Sequence, residues 1–149
     1  MRPTQPVTLA SLNVRFGLWA LLAYLALGIA IDAMHGFKVS WYLDFETRRL
    51  MWTLAHAHGV LTSVLAIGFG VLLQLSAEPA PWHRVASACL LAAVVLLPGG
   101  FLLGGIYVYD GDPGVGVLLA PLGGALLFAA VLVTALRYRP RRESGPTRD

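Results

Sequence analysis

The composition of this chain excludes an ordinary soluble domain. Of its 149 residues, 57% are hydrophobic and only 13% are charged, whereas about a quarter of the residues in a soluble domain carry charge. The net charge of +3 does not indicate nucleic-acid binding, because no segment alternates aromatic and basic residues as RNA-binding segments do. We therefore expect a lipid bilayer, and not a nucleic acid, to be the main partner.

Four apolar segments are long enough to cross a bilayer, which takes roughly 20 residues as a helix. The predicted helices are residues 16–34, 51–76, 85–109 and 114–136, each bound being approximate. Short connections join sequence neighbours as antiparallel helices. The sequence thus predicts an all-α, integral membrane, four-helix up-down transmembrane bundle with short loops, in which residues 1–149 form a single membrane domain.

The first helix carries a polar stripe near its predicted packing face. At about 100° per residue, five residues fall within one narrow arc: Gly17, Tyr24, Gly28, Asp32 and His35. The run is longer than the roughly 7–15 apolar residues of a signal peptide and ends in no A-x-A cleavage site, so we expect a retained anchor. The aromatic loop that follows, residues 35–50, favours the headgroup level and a short interfacial helix.

The second helix contains the sequence LAHAHGVLTSVLAIGFG, with histidines at positions 56 and 58. One stripe of this helix is polar and comprises Arg49, Thr53, His56, Ser63, Gly70 and Gln74. Polar side chains within a membrane are expected to face protein or water, so this stripe predicts a packing face. His58 lies about 200° away, on the side of Leu65 and Phe69. The two histidines therefore need separate explanations.

The third and fourth helices are marked by proline and glycine. Pro98 and Pro121 predict kinks, and the small residues at 100, 104, 123 and 124 predict close helix contacts. Cys89 is the single cysteine and is interpreted as an apolar packing residue. Of the two short connections, AEPAPWHR predicts a tight turn with an exposed His83, and DGDPGVG predicts a second tight turn.

The distribution of basic residues predicts orientation. Eight arginines belong to the side that carries the termini: Arg2, Arg15, Arg84, Arg137, Arg139, Arg141, Arg142 and Arg148. The opposite side has only Lys38, Arg48 and Arg49. The positive-inside rule then predicts a multi-pass protein of the inner cell membrane with both termini cytoplasmic. Residues 137–149 would form a basic flexible cytoplasmic tail, which either contacts anionic lipid or serves only as this orientation signal.

The polar residues near the outer helix ends predict a cluster. Its expected members are Asp32, His35, Arg49, Thr53, His56, Tyr107 and Asp110, with His58 left open. An ionisable residue within a membrane is a functional hypothesis by default, although pairing of Asp32 with His35 or Arg49 would also fasten the helices together. Both interpretations stay open at this point.

Imidazole groups suit haem iron, copper and zinc. A haem b held between His35 and His56 would find space at Gly28, Gly36 and Gly59. A metal ion bound by Asp32, His35 and His56 is a second hypothesis, and a histidine proton relay is a third.

The segment TLAHAHGVLTSVLAIGF resembles the second transmembrane helix of subunit I of haem–copper oxidases. In that family a His-Gly pair, preceded by small or hydroxyl residues and followed by apolar ones, supplies an axial ligand to the low-spin haem. The matching residues are His58 and Gly59. The family's copper ligands and tenth-helix histidine have no counterpart here, so the resemblance implies a reduced haem-binding relative and not an oxidase.

Two classes of function follow. No G-x-S-x-G, H-E-x-x-H or phosphate-binding loop is present, so hydrolase chemistry is disfavoured and enzyme activity is not predicted. We favour a non-enzymatic subunit of a larger membrane complex of the respiratory or redox kind, with protein partners or further copies of itself. The alternative is a b-type haem or metal protein that carries electrons or protons through His35, His56 or His58. An oligomeric transporter ranks third.

Overall fold

The computed structural model describes residues 8–76 and 80–138, and these are mostly helical. The elements are α1 (Leu9–Gly36), α2 (Ser40–Leu43), α3 (Glu46–Leu75), α4 (Pro81–Gly104), β1 (Val108–Tyr109), β2 (Asp112–Pro113), a 3-10 helix (Val115–Leu118) and α5 (Leu119–Arg137). Within these described residues, four helices are long and apolar enough to cross a membrane: α1, α3, α4 and the 3-10 helix continued by α5. The all-α prediction is confirmed, and these helices indicate a multi-pass membrane protein. Of the predicted tail, residues 137–149, Arg137 is the last residue of α5, and the part beyond Tyr138 lies outside the described residues.

The first helix begins earlier than predicted. Thr8 caps it, because its hydroxyl oxygen accepts a hydrogen bond from the Ser11 N–H at 3.2 Å, as N-cap residues do. The added turns include Asn13, a polar residue that the apolar pattern left outside the helix. Its amide is fully buried and donates to the Ser87 hydroxyl of α4 at 2.7 Å, so the helix keeps a polar residue by bonding it to a neighbour.

The third long helix ends at Gly104, before the predicted bound of 109. The chain then forms a two-stranded antiparallel hairpin in which Tyr109 pairs with Asp112. The two central residues, Asp110 and Gly111, have φ values of 49° and 90°, and two positive φ values are what a type I′ hairpin turn requires. Asp-Gly strongly predicts this turn, but the apolar residues before it were interpreted as the end of the helix and not as a strand. The predicted tight turn is confirmed in this more specific form.

The long helices pack mainly on their neighbours in the chain. α3 packs against α1 and α4, α5 packs against α4, and α1 also contacts α4 to a lesser extent. The buried core lies between α3, α4 and α5, around Phe69, Leu90, Val94 and Ala130, and Tyr24 of α1 packs against it. α1 and α5 therefore form the two edges of the bundle, and each has one main helical neighbour.

Glycines bring the backbones of α4 and α5 together. A Cβ atom at Gly100 would collide with the backbone of Ala120, and one at Gly123 would collide with that of Leu97. The prediction of close contacts is confirmed at these two positions. Gly124, by contrast, faces open space.

The two prolines have different consequences. Pro98 lies within α4 and has no N–H to donate to the carbonyl of Val94, one turn earlier. The Tyr24 hydroxyl of α1 donates to that carbonyl instead, at 2.8 Å. Pro121 lies in the first turn of α5, where proline is tolerated.

Candidate functional site

The polar stripes of α1 and α3 face each other along one seam. The His56 ring lies over Gly28, where a Cβ atom would come within 2.5 Å of the imidazole Cε1. The Tyr24 ring lies over Gly59 in the same way, and Gly17 lies against the backbone of Ser63. The helical period thus predicted the packing face correctly for these residues. Gly28 and Gly59 leave the space that the two rings occupy, and we call these two positions glycine sockets.

His56 is held in one orientation by α1. Its Nδ1 lies 2.8 Å from the backbone carbonyl oxygen of Tyr24. Because a carbonyl oxygen only accepts hydrogen bonds, this contact assigns the proton of the neutral ring to Nδ1. Nε2 then carries a lone pair and is the nitrogen able to accept a hydrogen bond or bind a metal.

Asp32, Thr53 and His56 line one open pocket at this seam, of about 300 Å³. The other walls are apolar and include Leu25, Ile29 and Ile31. Asp32 and Thr53 are exposed, whereas His56 is half-buried. The pocket is at the small end of the range for ligand sites, and it combines an acid, a hydroxyl and an imidazole within apolar walls.

The phenol of Tyr42 adjoins this group. Tyr42 belongs to α2, outside the four long helices, and is almost completely buried. Burial raises the pKa of Tyr42 above its usual value, and the negative charge of Asp32 adds to the rise. The neighbouring Thr53 side chain and the charge of Arg49 act in the opposite direction. The pKa of this phenol thus depends on its burial and on Thr53, Arg49 and Asp32.

Four predicted members do not line this pocket. His35, Tyr107 and Asp110 are exposed, and Arg49 is half-buried. Across residues 8–76 and 80–138, no three His, Cys, Asp or Glu side chains come together as a metal site requires. The predicted metal-binding set of Asp32, His35 and His56 is therefore not assembled.

The space predicted for a haem is also filled. His56 itself takes the room at Gly28, and Tyr24 takes the room at Gly59, while Gly36 remains open. Because His35 does not share the pocket with His56, the residues present do not fit a haem held between these two histidines.

His58 lies on the other side of α3, as predicted. Its Nδ1 is 2.9 Å from the carbonyl oxygen of Leu54 in its own helix, and its ring packs against Phe101 of α4 with centroids 5.0 Å apart. The ring is half-buried. The Nδ1 contact again assigns the proton to that nitrogen and leaves Nε2 with a lone pair.

Arg48 is a buried residue that sequence reasoning missed. Its guanidinium donates to the carbonyl oxygens of Gly105 at 3.0 Å and Ile106 at 3.2 Å, and also to that of Trp41. The Trp41 ring lies 4.0 Å from its central carbon. The last carbonyls of a helix need donors and carry partial negative charge, which predicts a basic partner for α4. The pattern alone does not say which arginine supplies it.

His83 is a second residue that was misjudged, because it is buried and the prediction of an exposed loop residue is wrong. It lies in the first turn of α4, where its Nδ1 accepts a hydrogen bond from the Ala80 N–H at 3.2 Å. Its ring also packs edge-to-face against Trp82, at 4.1 Å. The third helical position is where a capping side chain reaches back to the N-cap, and this spacing was the available signal.

Comparison of the chain with protein-family models, with curated proteins and with solved structures finds no match.

Proposed function

We propose that this protein is a non-enzymatic subunit of a larger assembly in the inner cell membrane, inserted as an up-down bundle with both termini in the cytoplasm. The observation that carries the proposal is the position of α1 and α5 at the two edges of the bundle. Large apolar side chains on these helices are uncovered within the chain: Trp19 and Ile29 on α1 are each 71% exposed, and Phe128 on α5 is 69% exposed. Such faces suit contact with lipid and with neighbouring membrane helices.

The use of the buried polar groups supports a structural role. Asn13 bonds α1 to α4, Tyr24 bonds α1 to α4, and Arg48 bonds α3 to the end of α4. His56 bonds α3 to α1. The hydrogen bonds of these side chains join one helix to another, which is typical of polar groups between membrane helices.

Photo-crosslinking from the two edges tests assembly. A photoreactive amino acid at position 19 or 128 is expected to give a discrete product with one membrane protein, identified by mass spectrometry and lost when the gene of that protein is deleted. A photoreactive residue at Ala93, which is fully buried, is the control and should give no such product. Products with lipid alone from both edges would contradict the subunit proposal.

Cysteine labelling tests orientation, because Cys89 is the only cysteine. In a Cys89→Ser background, Phe37→Cys and Leu136→Cys place thiols at positions that are 84% and 73% exposed. An impermeant maleimide should label position 37 in intact spheroplasts and position 136 only after permeabilisation. The reverse pattern would place the termini outside.

A second candidate function rests on the two ring nitrogens. His56 and His58 both direct Nδ1 to a backbone carbonyl, and ligand histidines are commonly oriented by this kind of hydrogen bond while Nε2 binds the metal. The resemblance to haem–copper oxidases favours His58. If the protein is a b-type haem or metal carrier, the purified protein should show a Soret band that His58→Ala or His56→Ala abolishes. A colourless protein with no bound metal would exclude this candidate.

A further inference from the structure

An apolar groove runs between α3 and α5 on a side of the molecule remote from the His56 pocket. Leu90 of α4 contributes to its lining, and Gly68 and Leu72 of α3 face Ala130 and Thr134 of α5 across a volume of about 450 Å³. The Thr134 hydroxyl donates to the carbonyl of Ala130 at 2.7 Å, so it needs no hydrogen-bond acceptor from a molecule in the groove. Nothing lies within 4 Å of where a Cβ atom at Gly68 would be. The groove therefore offers room for hydrocarbon.

The lining of the groove suits a single hydrocarbon chain. Along α3 the lining extends from Val64 to Leu72, a rise of about 12 Å. Apart from Thr134, the residues that line the groove are apolar. An acyl chain needs no hydrogen-bond partner from such walls, so it can enter the groove.

The charge at one end of the groove favours an anionic headgroup. Arg137 is the last residue of α5 and is exposed. It lies two turns beyond Ala130 on nearly the same face of the helix, so it stands at the edge of the groove where α5 ends. The sequence then continues with Arg139, Arg141 and Arg142. Basic residues near an anionic membrane surface attract its lipids.

We propose that the groove between α3 and α5 binds one acyl chain of an anionic phospholipid, with Arg137 bound to the phosphate. The inference rests on the membrane insertion proposed above. It assigns a specific lipid-binding site to a surface that would otherwise be ordinary bilayer contact.

Filling the groove provides the test. Gly68→Leu places a side chain in the open space, and Gly124→Leu is the matched control, because Gly124 also lies in a helix and faces open space but does not line the groove. The full chain is purified from membranes in mild detergent, and its phospholipid is measured by native mass spectrometry and lipid extraction. Gly68→Leu should retain at least about tenfold less anionic phospholipid, the loss expected when two or more methylene groups lose their contacts. Wild type and Gly124→Leu should retain equal amounts.

The headgroup is tested separately. Arg137→Gln should bind phospholipid but lose preference for phosphatidylglycerol over phosphatidylethanolamine by about fivefold, the effect of one basic residue near an anionic surface. Equal lipid content in Gly68→Leu and wild type would overturn the proposal. So would a dimer that dissociates in Gly68→Leu, because a second copy would then be the occupant.

Membrane fractionation separates this inference from the function on which it rests. If wild type and variants are all absent from the membrane fraction, the proposed function fails as well. If all are inserted and crosslink normally but carry no phospholipid, only the lipid site is wrong.

Discussion

Tyr24 supplies to α4 the hydrogen bond that Pro98 removes. The proline leaves the carbonyl of Val94 without its helical donor, and an unsatisfied backbone group in hydrocarbon costs several kcal/mol. The hydroxyl of Tyr24 reaches this carbonyl from α1 while its ring fills the socket at Gly59. Tyr24 therefore replaces a missing hydrogen bond in α4 and also packs α1 against α3.

A double-mutant cycle tests this repair. Tyr24→Phe keeps the ring but removes the donor, and we expect it to lower the unfolding free energy in detergent by about 1–3 kcal/mol. Pro98→Ala restores an N–H to α4, so Tyr24→Phe should cost much less in that background. Equal costs in the two backgrounds would show that the hydroxyl does not act through Val94.

The fit of His56 against Gly28 gives a second prediction at this scale. Gly28→Ala collides with the imidazole and should destabilise the protein, whereas the same change at Gly36, which faces open space, should not. In a His56→Ala background the socket is empty, so Gly28→Ala should become tolerated. Thermal unfolding in detergent measures all four variants.

The photo-crosslinking assay of assembly also tests which of the two histidines the function requires. We expect His56→Ala to impair assembly with little effect on insertion, because it removes the hydrogen bond from α3 to the Tyr24 carbonyl of α1. If His56→Ala assembles normally while His58→Ala fails, the function belongs to the face of α3 that packs on α4. That outcome would favour the oxidase-like interpretation.

At the scale of the elements, backbone contact between α4 and α5 depends on which side a glycine faces. Gly99 and Gly100 are adjacent in α4, yet a Cβ atom meets nothing at Gly99 and the backbone of Ala120 at Gly100. α5 has α4 as its principal helical neighbour, so separation of this contact loosens the whole helix.

The neighbouring glycines form a matched pair for experiment. Gly99→Ala should be neutral or stabilising by up to about 1 kcal/mol, because alanine is the better helix former. Gly100→Ala should destabilise and should make α5 more accessible to protease. If both substitutions have the same effect, α4 and α5 are not in backbone contact.

The elements also show what a single sequence can and cannot predict. Apolar length predicted the four long helices, and helical period predicted that His56 and Ser63 face a packing partner, because both depend only on local pattern. The start of α1 was missed because Asn13 is polar but bonded to Ser87, a partner distant in sequence. The haem space at Gly28 and Gly59 was misjudged for the same reason, since pattern reveals small residues but not the rings that fill them.

At the scale of the whole molecule, polar contacts hold the helices together at both ends of the bundle. Arg48 joins α2, α3 and the end of α4 at one end, and Asn13 with Ser87 joins α1 and α4 at the other. Between them lie the hydrogen bonds of Tyr24 and His56 and the apolar core. Because the two end contacts share no residue, the two ends should respond independently to substitution.

Hydrogen exchange tests this independence. Arg48→Ala removes a donor from three carbonyls, and hydrogen bonds to charged groups contribute about 1.5–3 kcal/mol each, so peptides covering 37–46 and 105–114 should exchange faster. Peptides covering 80–90 should be unchanged, and Asn13→Ala should give the converse pattern. Uniformly faster exchange in either variant would mean that the ends unfold together.

The length of α3 has a consequence for the bilayer that surrounds it. Thirty residues make a rod of about 45 Å, whereas the hydrocarbon thickness is about 30 Å. Once inserted, α3 either tilts or extends beyond the hydrocarbon at its ends. Because α1 packs against α3 at the glycine sockets, the two helices should tilt together. Membranes of different thickness should therefore alter the tilt of this pair before they alter its internal packing.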